Sequence, residues 1–536
     1  MRLVDFLDQS AALYDAGNQD ARFFDVDNQL SLSYQEMVNA STHLAAFLVR
    51  RGIKLQDVVA TYAPNSVAAY CCIFAISRIG AIWLPLNTRN TLSANLKLMD
   101  SSDTKFLFVD EAISIDHPEI FERFSVEQLA WLGGKKIADF DFSFLRQTAE
   151  RARPDDSNLY QQNSEDDQHL ELPEGALVSL FATGGTTGDS KIAEWDHVVW
   201  ESIVNIQHQL MPVTDIPSCY LVAAAMTHAA GVGSFATILE GGSIVVMDGF
   251  SPEKLLAAIE AYKVTSLFLP PTAIYMLLAF SEVGSYDYAS LRYFWYAAAP
   301  MSTEKLKEAM AIFGPVMVQT YGQAEAPMIC AFLSSQDHVD ALASENNSRL
   351  GSCGKASPGI TFAIVDDSGC MLSQGLQGEI AVKGNLLMKG YHRSVEATNA
   401  IRINGWQLTG DIGVLDECGY LSILDRKGDM IISGGFNVYP GEIEQLIWGM
   451  PGIKDCAVIG LPDEKWGEQV TAVIELKDAS LAPDKEEIIR CCKEKLGSIK
   501  APKQVLVFDE LPRSPVGKVL KKELRAMFWG DQKKKI

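Results

Sequence analysis

Six residues, Leu177–Ala182, form an apolar run that empties directly into Thr183-Gly184-Gly185-Thr186-Thr187-Gly188-Asp189-Ser190-Lys191. An apolar run of that length, bounded by turn residues, reads as a buried strand. A buried strand feeding a glycine-rich loop constrains the chain to layered α/β structure. Three glycines let the backbone approach an anion closely, and the N–H groups and threonine hydroxyls supply donors, a set suited to a polyphosphate. The loop is not a Walker loop, because the residue five after Gly184 is Asp189 rather than glycine.

The rest of the pattern agrees. Val58–Tyr62, Ala81–Leu86 and Phe106–Val109 have strand lengths, and Ala68–Gly80 reads as a helix packed among them. Further strands are expected at Leu239–Met247, Ser266–Leu269 and Phe294–Ala299, with a helix over Pro252–Tyr262. From Gly351 the texture shifts to short strands and turns, Phe362–Val365, Glu379–Val382 and Tyr420–Leu424, which predicts a small β-rich subdomain. Beyond the turn Ser433-Gly434-Gly435, helices at Glu442–Trp448 and Lys485–Lys495 alternate with strands at Ala457–Ile459 and Val470–Glu475. Residues 151–170 are polar and read as a loop.

A chain of 536 residues exceeds one ordinary core. Its charge divides it: residues 427–536 carry 18 Lys and Arg against 17 Asp and Glu, while the chain as a whole stands at -22. We therefore expect an acidic domain over 1–427, of layered α/β subdomains plus the β-rich piece. A hinge joins it to a near-neutral α+β domain over 428–536. The strong negative charge excludes a general nucleic-acid or anionic-membrane binder. Ten scattered cysteines show no disulfide or zinc spacing and fit a reducing cytoplasm. Asp5 and Asp8 stand where a signal peptide needs an apolar run, and Leu221–Leu239 is too polar and glycine-rich for a membrane span.

Six ordered motifs between about residues 60 and 525 carry a family resemblance. Besides the Gly/Thr loop they are Tyr321-Gly322-Gln323-Ala324-Glu325, Gly378-Glu379 through Gly390-Tyr391, and Trp406-Gln407-Leu408-Thr409-Gly410-Asp411. Asp425-Arg426-Lys427-Gly428 through Asn437 and Pro512-Arg513-Ser514-Pro515-Val516-Gly517-Lys518 complete the set. Together they resemble the adenylate-forming superfamily of acyl-CoA synthetases, aryl-CoA ligases, luciferases and peptide-synthetase adenylation domains, and are nearest in type to acyl-CoA synthetases.

That resemblance implies an ATP-dependent ligase that converts a carboxylic acid to its acyl-adenylate and passes the acyl group to coenzyme A. It implies that Thr183, Gly184, Gly185, Thr186, Thr187, Gly188 and Lys191 hold the β- and γ-phosphates, and that Glu325 is the Mg²⁺ ligand. Lys518 bridges the carboxylate and the α-phosphate. Asp411 and Arg426 take the ribose. Tyr321 faces the adenine, with the backbone around Ala298 opposite. His228 lies beside the acyl group, while Gly434, Gly435 and Trp466 belong to the thiol step.

Three departures from the family pattern stand out: Ser190 replaces a proline, Ala324 a threonine, and Gly428 the usual Asp or Lys of the hinge. Around Ile499–Lys503 only lysines remain of an aromatic and basic cluster, so a carrier protein stays open as the acceptor. A non-catalytic acyl- or nucleotide-binding homologue stays open too. The acid itself, aryl or alkyl, is not legible; a monomer or homodimer is expected.

Overall fold

The computed structural model describes residues 1–14, 21–133, 136–137, 140–141, 172–183, 191–344, 347–478, 483–514 and 518–529. Two nine-stranded sheets form the body. In one of them Arg22–Asp25, Ser243–Val246, Cys219–Val222, Ser266–Leu269, Tyr293–Tyr296 and Met317–Gln323 run parallel in that spatial order. In the other, Val58–Tyr62 lies between Ile82–Pro85 and Phe106–Asp110, and Ile82–Pro85 joins Leu177–Ala182.

Helices Tyr34–Arg50, Val67–Arg78, His197–Leu210 and Ala229–Leu239 contribute to one continuous core with residues of both sheets. Val67–Arg78 is buried at every position, which explains its apolar sequence on all faces. Leu221–Leu239, too polar and glycine-rich for a membrane span, divides into the end of a strand, a connection and a buried helix. No helix among the described residues is long and apolar enough to cross a membrane. All ten cysteines are free.

Two expected strands are shorter than their apolar runs. Leu239 completes the helix Ala229–Leu239, and the turn at Gly241-Gly242 delays the strand to Ser243–Val246. Ala297–Ala299 leave the sheet after Tyr296, with Ala298 at φ 72°. Apolarity there does not extend the ladder.

The β-rich subdomain is an antiparallel sheet of Ile360–Val365, Gly378–Gly384, Trp406–Leu415, Arg402–Ile403 and Leu421–Arg426. A last sheet of Phe436–Val438, Ile431–Ser433, Gly467–Leu476, Ile453–Asp463 and Gln504–Phe508 carries helices Pro440–Trp448, Lys485–Lys500 and Lys521–Trp529. Its two apolar clusters draw wholly on residues 431–529, so this small unit has its own core.

Candidate active site

His228, Ala298 and Tyr321 all come from chain at or just beyond the carboxyl ends of parallel strands, where open α/β sheets hold their ligands. Tyr321 lies where Met317–Gln323 turns into Ala326–Leu333. The turn demands glycine at 322: a Cβ there would stand 2.6 Å from the Met328 nitrogen. Ala298, a non-glycine residue in the left-handed region just beyond the strand Tyr293–Tyr296, stores about 1–2 kcal/mol of strain.

Four of the expected residues converge. Asp411 and Arg426 are direct partners across neighbouring strands, and the Arg426 Nε is 3.6 Å from Asp411 Oδ1. The Tyr321 hydroxyl donates to Asp411 Oδ2 at 2.6 Å. Burial raises the Asp411 carboxyl, opposed by Arg426, the Tyr321 hydroxyl and Lys518. The Lys518 ammonium is drawn down to about 8, chiefly by burial and next by Arg426, with Asp411 and Asp429 resisting. Lys518 thus lies within electrostatic reach of Arg426 and Asp411, although 92 and 107 positions separate it from them.

Two sets of contacts hold it there. Arg513 pairs with Asp455 at 2.7 Å and Glu475 at 2.9 Å, anchoring the base of the loop, whose far side closes through Ser514 N to Lys518 O at 2.7 Å. Lys521 joins Glu444 at 2.9 Å to Asp425 at 3.3 Å, and both carboxylates are buried. Asp425 adjoins Arg426 and also accepts from the Gly441 N–H at 3.1 Å, so the cluster clamps the small domain onto the body.

A second group surrounds Glu325. Its carbonyl accepts from Gln407 Nε2 at 2.7 Å and Met388 N at 3.0 Å, and its Oε1 from the Tyr391 hydroxyl at 2.8 Å. Lys191 Nζ lies 4.6 Å over the Tyr391 ring. Thr183 donates its N–H to the Lys191 carbonyl at 2.8 Å, closing the base of the Gly/Thr loop. Gly184, Gly185, Thr186, Thr187 and Gly188 lie outside the described residues. No group of three or more metal-ligating side chains occurs among the described residues. One half-buried carboxylate with a free edge nevertheless fits Mg²⁺, which takes one or two protein carboxylates and fills its shell with phosphate oxygens and water.

His228 begins the helix Ala229–Leu239, and its Nε2 is 2.9 Å from Asn87 Nδ2. Asn87 Oδ1 is occupied by the Arg89 N–H at 2.9 Å. The amide therefore turns its NH₂ toward the imidazole, whose Nε2 must accept. Burial agrees, pushing His228 down to about 4, so the ring is neutral.

Gly434 and Trp466 belong to the small domain and are packed together. The Gly434 N–H donates to the Trp466 carbonyl at 2.8 Å, and a Cβ on Gly434, whose φ is 59°, would stand 2.8 Å from the indole. Gly435 completes the turn. Phe436 and Trp466 leave this face open to solvent, at 57% and 37% exposure. It is thus a solvent-exposed surface, whereas Lys518 is drawn down by burial.

Sequence reasoning gave no role to Tyr391, Asn87, Arg513 or Lys521. The first, third and fourth lie in or beside quoted motifs; Asn87 offers no sequence signal, since its partner is 141 positions away.

The arrangement has close counterparts. The chain matches the AMP-binding enzyme family over residues 11–392 and the AMP-binding enzyme C-terminal domain over residues 442–518. It is 32% identical over 507 residues to a feruloyl-CoA synthase of an Amycolatopsis species, covering 93% of this chain and 94% of that one. A medium/long-chain-fatty-acid–CoA ligase of Mycobacterium tuberculosis is 35% identical over 367 residues, which are 67% of this chain and 62% of that protein, so less than two thirds of the relative is spanned. The ATP-bound crystal structure of MatB from Rhodopseudomonas palustris superposes with a TM-score of 0.83 at 28% identity, over 99% of both chains. With both domains matched and the fold shared end to end, the chain belongs to the AMP-binding enzyme family, the adenylate-forming superfamily, and within it to the acyl-CoA synthetase type.

Proposed function

We propose that this chain joins a carboxylic acid to coenzyme A in two steps: acid and ATP give acyl-AMP and pyrophosphate, then the CoA thiol displaces AMP. The observation that supports the assignment of residues is that Lys518 feels the charges of Asp411 and Arg426, the pair to which the Tyr321 hydroxyl is hydrogen-bonded through Asp411. In the first step a carboxylate oxygen attacks the α-phosphorus and pyrophosphate leaves. Lys518 neutralises the carboxylate as it approaches and the charge that builds on the α-phosphate. Asp411 accepts from the ribose hydroxyls, Arg426 and Tyr321 hold it in place, and the Ala298 backbone faces Tyr321 across the adenine. Glu325 would hold Mg²⁺, which neutralises the phosphates, and Thr183–Lys191 would cradle the same groups.

For the second step we assign residues 428–536 as a body that turns about Lys427–Met430. Rotation withdraws Lys518 and brings the open Gly434–Trp466 face to the thiol. His228, neutral and fixed by Asn87, lines the acyl side as an uncharged wall.

The relatives act on medium and long alkyl acids and on an aryl acid by their names, so an apolar acid of one of these types is the substrate class we assign. Pyrophosphate exchange into ATP across such a panel, with and without CoA, is the test. Acid-dependent exchange without CoA, and thioester only with it, are expected. No exchange with any acid would refute the adenylating role.

A further inference from the structure

Tyr391 touches both sides of the phosphate region yet has no part in the reading above. It belongs to the two-residue strand Gly390–Tyr391, which pairs antiparallel with Ile192–Asp196 through Ala193. That strand is the one the Gly/Thr loop runs into, so Tyr391 is strapped to the loop's exit. Its own N–H donates to Thr398 Oγ1 at 2.8 Å, and the residue is only 7% exposed. Held in this way, the ring lies beneath Lys191 and the hydroxyl reaches Glu325 Oε1.

Glu325 needs this contact. Gln407 and Met388 fix its backbone carbonyl, but they do nothing to the torsions that swing the carboxylate. Among the described residues the Tyr391 hydroxyl is the donor that fixes those torsions, and it leaves Oε2 free to face a cation.

Resting on the reading of Glu325 as the Mg²⁺ carboxylate, we propose that Tyr391 is a positioning residue: it aims the Glu325 carboxylate at the metal and ties that aim to the Lys191 end of the phosphate loop. Mg²⁺ binding then pays less ordering entropy, and the metal and the lysine address the same phosphates from fixed positions.

Tyr391→Phe keeps the ring beneath Lys191 and removes only the hydroxyl. A hydrogen bond to a charged group corresponds to about tenfold or more in an equilibrium. We expect the half-saturating Mg²⁺ for pyrophosphate exchange to rise about tenfold. Calorimetric ATP binding should weaken to match when Mg²⁺ is present and stay unchanged without it. Exchange should recover at high Mg²⁺, thioester formation from supplied acyl-AMP should be untouched, and the Tyr391→Phe effect should vanish in a Glu325→Gln background.

If Glu325→Gln shifts the Mg²⁺ requirement and Tyr391→Phe does not, the positioning role is overturned while the metal role of Glu325 stands. If Glu325→Gln leaves the requirement unmoved, the metal reading itself fails, and this proposal with it. Equal loss in both half-reactions, with a lowered melting temperature for Tyr391→Phe, would make the residue merely structural.

Discussion

Lys518 should impose a pH limit on the first half-reaction alone. Its ammonium is drawn down to about 8 because it leaves water for a cleft that also holds Arg426. The charged form is the useful one, and it is lost as pH rises through that value. At pH 7 about nine tenths of the free enzyme carries the charge, and at pH 9 about one tenth does. The kcat/KM for ATP in pyrophosphate exchange should therefore fall about tenfold per pH unit above 8. Bound triphosphate restores negative charge beside the lysine, so the limb in kcat should lie higher than the limb in kcat/KM. Thioester formation from supplied acyl-AMP should show no such fall, since in the proposed rotation the lysine is withdrawn and the thiol ionises more readily as pH rises. Lys518→Arg, always charged, should lower the rate through altered geometry yet remove the limb. A flat kcat/KM profile to pH 9.5, or parallel losses in both half-reactions, would refute the assignment.

Gly428 has open space where a Cβ would stand and needs no left-handed backbone in this arrangement, so a hinge role should surface only in Gly428→Pro: one half-reaction slowed relative to the other in single-turnover assays, with the melting temperature little changed. Lys521→Met leaves Asp425 and Glu444 buried without their cation, at 7% and 5% exposure. It should cost about 3–5 kcal/mol in denaturant unfolding of the arrangement that holds Lys518, and an unchanged midpoint would show that the clamp is idle. Gly434→Ala drives a methyl to 2.8 Å from the Trp466 ring, so the KM for CoA should rise while CoA-independent exchange is unaffected.

How much of this was legible beforehand follows from the range of the interactions. The strand Leu177–Ala182 and the fully buried helix Val67–Arg78 are written in contiguous apolarity, and their observed limits match within a residue or two. The antiparallel subdomain is legible because its turns carry local signals such as Asp366–Gly369. The two shortened strands were misread because apolar residues at Leu239 and Ala297–Ala299 belong to a helix and to chain beyond a strand instead of to a ladder. The meeting of Lys518 with Asp411 came from the family resemblance; no periodicity relates residues that far apart. The Asn87–His228 pair, the Tyr391–Glu325 tie and the Lys521 clamp were not legible at all, since each depends on which strand ends the topology brings together.

Of those unread contacts, the Lys521 clamp bears directly on the charge around Lys518. Adenylation needs positive charge concentrated where three phosphates and a carboxylate meet, and the protein must hold Arg426, Lys518 and Lys191 there before any anion arrives. Such a cluster repels itself, which is one cause of the depressed Lys518. Asp411 and Asp429 counter this electrostatically, and among the described residues Lys518 forms no ion pair. The ammonium is restrained through its neighbours, Arg513 on one side and Lys521 on the other, each bound to two carboxylates. Had Lys518 itself been paired, the substrate would have had to break that pair to use it. Anchoring the flanks instead leaves the charge unspent, and because one of the Lys521 carboxylates, Asp425, belongs to the strand Leu421–Arg426 of the body, the proposed rotation of the small domain requires the same clamp to open. In the two-step scheme proposed above, the restraint that holds Lys518 for the first step is therefore also a barrier to the second.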